Sequence, residues 1–294
     1  MINEPDHTYG PAGFSTLPDG RRLHYRRRGS GRPTVVFESG MGLSGSIWGL
    51  VQPAVAARTT TVVYDRAGFG RSDPAPGPRA LGRLVEDLAH LLRHLGDAGP
   101  YLLVGASWGG PIIRSLAATG EFPIIGLVLV DQSDENTSEF FTPAARRQFA
   151  LSRRLLVPMA RTGLYRRLGG RMGRKQPADV VHDHLRYDFT VSAARAAIAE
   201  LDGFLDDLQD LGRNQPRLDG IEVSVISGTK ITRAERKLRA AINGAHRITA
   251  ERLDRGRFVP ATQSGHHVMF TEPELVVAEI LRHLPDREQV PDVH

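Results

Sequence analysis

A serine stands between two glycines at Gly105-Ala106-Ser107-Trp108-Gly109, immediately after the apolar run Tyr101–Val104 and immediately before a helical segment. The spacing G-x-S-x-G at a strand-to-helix turn is the nucleophile-elbow pattern. So tight a turn holds the serine in strained φ/ψ and brings the flanking backbones together. The positions two before and two after it must therefore be small. The same turn lifts Oγ above the strand and aims it at the next helix N-terminus, whose free N–H groups favour developing negative charge. Ser107 is the candidate nucleophile. A serine needs a base, and neutral imidazole is the best acceptor for its proton at neutral pH. Ser264-Gly265-His266 follows the last apolar run and precedes the closing helix. That order puts His266 on the carboxyl edge of a parallel sheet, the same edge as the elbow. His267 competes, but adjacent loop residues point in different directions, and only one reaches Ser107.

Other patterns point to other chemistry. Gly40-Met41-Gly42-Leu43-Ser44-Gly45 is a G-x-G-x-x-G between a strand and a helix, with Asp65 at the end of the next strand. That satisfies the written dinucleotide fingerprint, so an NAD-binding oxidoreductase is the second reading. It explains neither the serine elbow nor the Gly-His loop. His90/His94 and His182/His184 could mimic metal pairs, yet neither carries the Glu of an H-E-x-x-H helix, and they read as surface histidines. The chain has no cysteine, which excludes disulfides, thiolate catalysis and Cys-ligated zinc. No metal or cofactor is implied.

The elements that must position these residues alternate. Gly13–Leu17 and Arg21–Arg28 flank Pro18-Asp19-Gly20, a hairpin signal. Thr34–Phe37, Thr59–Tyr64, Tyr101–Val104, Ile124–Val130, Ile221–Ile226 and Phe258–Ala261 read as strands. Helices are expected at Ile47–Ala57, Ala80–Leu95, Pro111–Ala118, Arg233–Ile242 and Glu274–Leu284. In Ala80–Leu95 the residues Leu81, Leu84, Val85, Leu88, Leu91, Leu92 and Leu95 recur at three- and four-residue spacing, one core face of a helix. Strands apolar throughout, alternating with helices, mean an α/β fold with a mostly parallel sheet covered on both faces. Between Ser133 and Leu218 the alternation stops, and Arg- and Ala-rich helical sequence replaces it. The expected organisation is a core of residues 1–132 and 219–294, with a helical cap or lid insertion over 133–218.

In this order of strand and glycine loop, Tyr64-Asp65-Arg66-Ala67-Gly68-Phe69-Gly70-Arg71-Ser72, serine elbow and Gly-His loop, the chain resembles the α/β-hydrolase fold family over roughly Gly13 to Leu284. The resemblance implies a serine hydrolase of the esterase branch. It also implies an oxyanion hole from the main-chain N–H groups of Met41 and Trp108, because Ser39-Gly40-Met41 stands where the family has His-Gly-x. The family places its acid most often after the penultimate strand, but Gly228-Thr229-Lys230-Ile231-Thr232 offers no carboxylate before Glu235. A minority of the family, haloalkane dehalogenases included, carries the acid at the end of the strand after the elbow helix, where this chain has Asp131. Asp131 is the preferred acid and Glu235 the alternative, with Asp134, Glu135 and Asp254 also open. The expected chemistry is ester hydrolysis through an acyl-enzyme on a small apolar or anionic substrate. Amide, lactone and carbon–carbon cleavage, acyl transfer, and a non-catalytic receptor that keeps the pocket remain alternatives.

With 294 residues, 40% of them hydrophobic and 24% charged, the composition is that of a globular chain that can bury one sizeable core. No apolar run approaches the roughly 20 residues that cross a bilayer, so no stable membrane insertion is expected. The polar opening Met1–Gly13 lacks the apolar core of a signal peptide, and a cytoplasmic protein is expected. The net charge of +5 is concentrated in Arg146, Arg147, Arg153, Arg154, Arg161, Arg166, Arg167, Arg171, Arg174 and Lys175, with no acid among them. A solvated basic helix face competes there with a surface for acidic substrates or anionic lipid. Nucleic acid is not expected as a partner, because interleaved aromatics and a nucleic-acid-binding motif are both missing.

Overall fold

The computed structural model describes residues 7–96, 99–233 and 235–285. Its strands are β1 (Ala12–Thr16), β2 (Arg22–Arg28), β3 (Thr34–Glu38), β4 (Thr61–Tyr64), β5 (Tyr101–Ala106), β6 (Ile124–Val130), β7 (Glu222–Gly228) and β8 (Gly256–Ala261). They form one eight-stranded sheet in the order β1-β2-β4-β3-β5-β6-β7-β8. β2 runs antiparallel to both β1 and β4, and every other pairing is parallel.

Successive side chains of a strand point to opposite faces, so a strand buried on both faces must be apolar at every position. Val35 and Phe37 of β3, Leu102 and Val104 of β5, and Val128 and Val130 of β6 join one core with α1 (Gln52–Ala56) and α10 (Pro273–Arg282). The intervening Val36, Leu103, Leu127 and Leu129 join the other, with α2 (Leu81–Leu95) and α3 (Gly109–Ala117). These alternating sets account for the unbroken apolar runs in the sequence.

Two helices depart from the pattern reading. The helix expected over Ile47–Ala57 is a one-turn 3-10 helix, Gly45–Trp48, followed after Gly49 by α1. Pro53 sits in the first turn of α1 and lacks the N–H that would let one helix run through. The helix expected to end at Ile242 continues as α8 (Arg236–Arg252) straight past Gly244. Burial of Ala245, His246, Thr249 and Ala250 overrides the weak local preference of that glycine.

Between β6 and β7 lie a 3-10 turn at Ser138–Phe141 and the helices α4 (Pro143–Arg161), α5 (Leu164–Gly169), α6 (Ala178–Tyr187) and α7 (Val191–Arg213), with no strand. Thr142 and Thr190 cap α4 and α7 by accepting from the N–H groups of Ala145 and Ala193. α7 buries Ala193, Ala197, Glu200, Phe204, Leu208 and Leu211 along one stripe, whereas α4 and α5 bury no side chain completely. Among the described residues no helix is long and apolar enough to cross a membrane. The short α9 (Val268–Thr271) precedes α10.

The turn from β5 to α3 is as close as its glycines demand. A Cβ on Gly105 would stand 2.6 Å from Gly109 O, and one on Gly109 would stand 2.7 Å from Glu38 O. Both obstacles are backbone and cannot swing aside. Gly105→Ala is therefore expected to destabilise the protein by roughly 1–3 kcal/mol, as overpacking does, read as a lower urea midpoint at unchanged m.

Candidate active site

Among the described residues, two other than glycine have left-handed backbone: Ser107 at φ 50° and Asp131 at φ 44°. Such conformations cost of order 1–3 kcal/mol and persist only where the surroundings over-determine them. For Ser107 the surroundings are explicit. Its N–H donates to Val130 O at 3.1 Å, while its carbonyl accepts from Gly110 N at 3.1 Å and Ser133 N at 2.9 Å. The serine is thus tied to the end of β6 next door, where Asp131 begins.

Asp131 is buried, and its N–H donates to Ile226 O of β7 at 2.8 Å. Its Oδ1 accepts from Gly228 N–H at 2.8 Å, and Arg239 Nη1 lies 2.8 Å from both carboxylate oxygens. Nδ1 of His266 lies 2.7 Å from Oδ2. Burial opposes the charge, but the hydrogen bond from His266 and the favourable electrostatics of His266, His246 and Arg239 outweigh it. They lower the carboxyl from the ordinary 3.8 to about 2. An ionised carboxylate only accepts, so Nδ1 carries the proton and Nε2 of the neutral ring keeps its lone pair.

His266 reaches that carboxylate because the loop after β8 lies directly on the end of β7. A Cβ on Gly228 would stand 1.9 Å from Gly265 O, so no other residue fits there without displacing the loop. Lys230 N donates to Ser264 O at 2.9 Å, and Ser264 Oγ lies 2.5 Å from both Glu272 Oε2 and Thr271 Oγ1. His267 is partly buried, and desolvation, helped by the neighbouring His266, lowers it to about 4.

Ser107, His266 and His267 line one cavity of about 250 Å³. Gly40, Met41, Leu43 and Ile47 close it from the core, Met269 and Phe270 from α9, and Tyr165, Gly169, Met172 and Phe189 from the helical insertion. No Lys or Arg is among its lining, so an anionic substrate, one half of the sequence expectation, has no cation to meet there. Among the described residues, the main-chain N–H groups of Met41 and Trp108 have no hydrogen-bond partner.

The orientation of the Met41 N–H has a cause that the sequence reading missed. Arg66 is buried, and its Nη2 donates to Gly40 O at 2.9 Å while Nη1 donates to Ser39 O at 2.6 Å. A trans peptide sets C=O and N–H on opposite sides, so holding Gly40 O on Arg66 turns the Met41 N–H away from it. Glu38 accepts from Nη1 at 2.6 Å, and Glu200 of α7 accepts from Nε and Nη2, each at 2.9 Å. Only the Asp-Arg-x-Gly-x-Gly loop signalled Arg66, as a structural motif. Arg239 had no signal at all, because it lies in the first turn of α8 and meets Asp131 only in the fold.

The remaining candidates are accounted for elsewhere. Glu235 is exposed at the start of α8 and accepts from Thr232 Oγ1 at 2.7 Å. Asp134 accepts from Gln132, Asn136 and Thr249, while Glu135 pairs with Arg114 at 2.7 Å. Asp254 is exposed. In the would-be dinucleotide fingerprint, Gly45 opens a 3-10 turn, and Asp65 accepts from Gly45 N at 2.9 Å and Arg71 N at 3.0 Å. Asp65 thereby ties the loop after β3 to its own loop, and it also meets His24 Nδ1 at 2.8 Å. His184, expected at the surface, is buried against Asp188 at 2.7 Å, and among the described residues no group of three His, Asp or Glu could hold a metal ion.

Residues 35–279 match the alpha/beta hydrolase family. An AB hydrolase superfamily protein of Gibberella zeae is 27% identical, over 85% of this chain and 86% of that protein. A thermophilic esterase from Thermogutta terrifontis superposes with a TM-score of 0.72 at 21% identity, covering 93% of this chain and 97% of that one. The epoxide hydrolase CorEH gives a TM-score of 0.69 at 19% identity, covering 92% and 97%. At these identities the two structures share the fold.

A carboxyl lowered from 3.8 to about 2 stabilises the folded state above 3.8, and that stabilisation disappears as pH falls towards 2. Wild type is expected to exceed Asp131→Asn in unfolding free energy at neutral pH. Of that margin, on the order of 2 kcal/mol should vanish between about pH 4 and pH 2, measured by urea titration across that window.

Proposed function

The chain belongs to the alpha/beta hydrolase family, and we propose that it is a serine hydrolase cleaving a carboxylic ester, or a related acyl bond, of a small apolar substrate. One observation carries the reading: Ser107, on a strained elbow, shares a cavity with His266, whose other ring nitrogen is held by the buried carboxylate of Asp131. In the proposed mechanism Nε2 of His266 takes the Ser107 proton as Oγ attacks the carbonyl carbon. The oxyanion forms between the N–H groups of Met41 and Trp108, which no acceptor among the described residues occupies. His266 then protonates the leaving alcohol, and water repeats the sequence on the acyl-enzyme. Asp131 fixes the imidazole tautomer and stabilises the imidazolium, with Arg239 and the Gly228 N–H holding the carboxylate in place.

The type of nucleophile separates this reading from the other activities of the fold. Opening an epoxide through a side-chain ester needs a carboxylate nucleophile, and the elbow carries a serine hydroxyl instead. The apolar lining of the cavity favours an acyl group of matching character.

Treatment with a fluorophosphonate and peptide mass spectrometry should place one adduct on Ser107, abolished or greatly slowed in His266→Ala. Folded, concentrated protein that takes no adduct would refute the proposal. The identity of the acid is read separately, with a soluble p-nitrophenyl ester. Asp131→Asn should lower kcat by about 10⁴, the scale of losing the correct tautomer, whereas Glu235→Gln should turn over as wild type. The opposite ranking would transfer the role to Glu235.

A further inference from the structure

The cations of the helical insertion do not enter the cavity. Arg166, Arg167, Arg171 and Arg174 surround a separate, open cleft on the outside of α5 and α6. On α4, Arg147, Arg154 and Arg161 recur at seven-residue intervals, which keeps them on one line of the helix, and all three are exposed. Among the described residues none of these seven arginines forms an ion pair. Arg153, the one arginine of the stretch that does, reaches Asp202 at 2.8 Å.

Apolar side chains interrupt this charge where a solvated face would have none. Eight large hydrophobic residues are exposed among those described, and four of them sit here: Leu151 (55%), Leu155 (44%), Leu164 (42%) and Leu168 (52%). Leu151 and Leu155 continue the i, i+4 row that begins at Arg147, whereas Phe149 and Leu156 of the same helix turn inward. α5 is likewise two-sided. Tyr165 and Gly169 line the cavity, and Leu164 and Leu168 face solvent.

We propose that the outer face of α4 and α5 docks on an anionic lipid surface. Exposed leucines alternating with unpaired arginines have the pattern of an interfacial helix. The guanidinium groups meet anionic headgroups while the leucines enter the boundary between headgroup and acyl chain. A nucleic-acid surface would give the leucines no apolar partner and would call for stacking aromatics, which this face lacks. Docked in this way, the protein holds its cavity one helix thickness from the lipid, because α5 is the wall between them. This second step rests on the hydrolase reading and specifies its substrate as an acyl ester dissolved in, or drawn from, a lipid phase.

The test is flotation with vesicles of phosphatidylcholine alone and of phosphatidylcholine mixed with phosphatidylglycerol, at physiological salt. Wild type should float with the mixed vesicles and not with the neutral ones. Arg147→Gln/Arg154→Gln/Arg161→Gln and Leu151→Ser/Leu155→Ser should each weaken that binding at least tenfold, while both hydrolyse a dissolved p-nitrophenyl ester as wild type does. Ser107→Ala should float unchanged, since docking does not use the nucleophile. Floating Ser107→Ala beside an inactive wild type would therefore count against the hydrolase reading alone. Wild type that binds both vesicles equally or neither, variants that bind as wild type, or a preference for RNA over mixed vesicles would each overturn the lipid surface.

Discussion

The guanidinium of Arg66 carries five N–H donors, and all five find acceptors in the interior: two on Glu200, one on Glu38, and the carbonyls of Ser39 and Gly40. A buried cation left short of partners would be strongly destabilising, so the acceptors must arrive together or not at all. They come from the end of β3, from the loop beyond it and from α7 of the helical insertion. Arg79 adds a second guanidinium on Glu200 at 3.2 Å, and Tyr64 donates its hydroxyl to Glu38. One planar group thereby fixes the loop that faces Ser107, the exit of β4 and the seat of α7. A lysine would supply charge without the fork that satisfies carbonyls and carboxylates in different directions.

The same economy of backbone space governs the carboxyl edge of the sheet. Gly105 and Gly109 let β5 turn into α3, and Gly228 lets the histidine loop rest on the end of β7. These contacts are main chain against main chain, so the side chains they carry have little freedom to drift. Ser107 and Asp131, the two described residues other than glycine with positive φ, stand at the ends of adjacent parallel strands. Left-handed strain thus sits at the carboxyl ends from which the proposed nucleophile and acid project.

What the sequence made legible follows from how local each constraint is. The serine turn needs small residues at fixed offsets, and those offsets are visible in five consecutive letters. Strand-like runs were visible because burial on both faces leaves no polar position. Asp131 could only be ranked, since its partners Gly228 and Arg239 lie 97 and 108 positions away. Arg66 was hidden for the same reason: its five acceptors converge only after the sheet and α7 have packed. Helix ends failed where tertiary burial outweighed a local break, as at Gly244, or where a proline enforced one, as at Pro53.

The helices between β6 and β7 are unevenly secured. α7 is fastened by Glu200, by Phe204, Leu208 and Leu211 in the core, and by Asp207, which accepts from the Leu81 N–H at 2.9 Å. α4 and α5 bury no side chain completely and are joined at Gly163, in left-handed conformation at φ 75°. Mechanically, α7 is a post and the α4–α5 arm a panel carried on its outer side. α4 rests on α7 through Phe149, whose ring stands edge-on to Phe204 at 5.7 Å, and through the Arg153–Asp202 pair, whereas moving α7 would also expose two carboxylate-bound arginines. The wall that α5 gives the cavity and the peptide that Arg66 holds at Gly40 therefore hang from one helix, α7, by different side chains, so that a change in the wall need not reach the peptide.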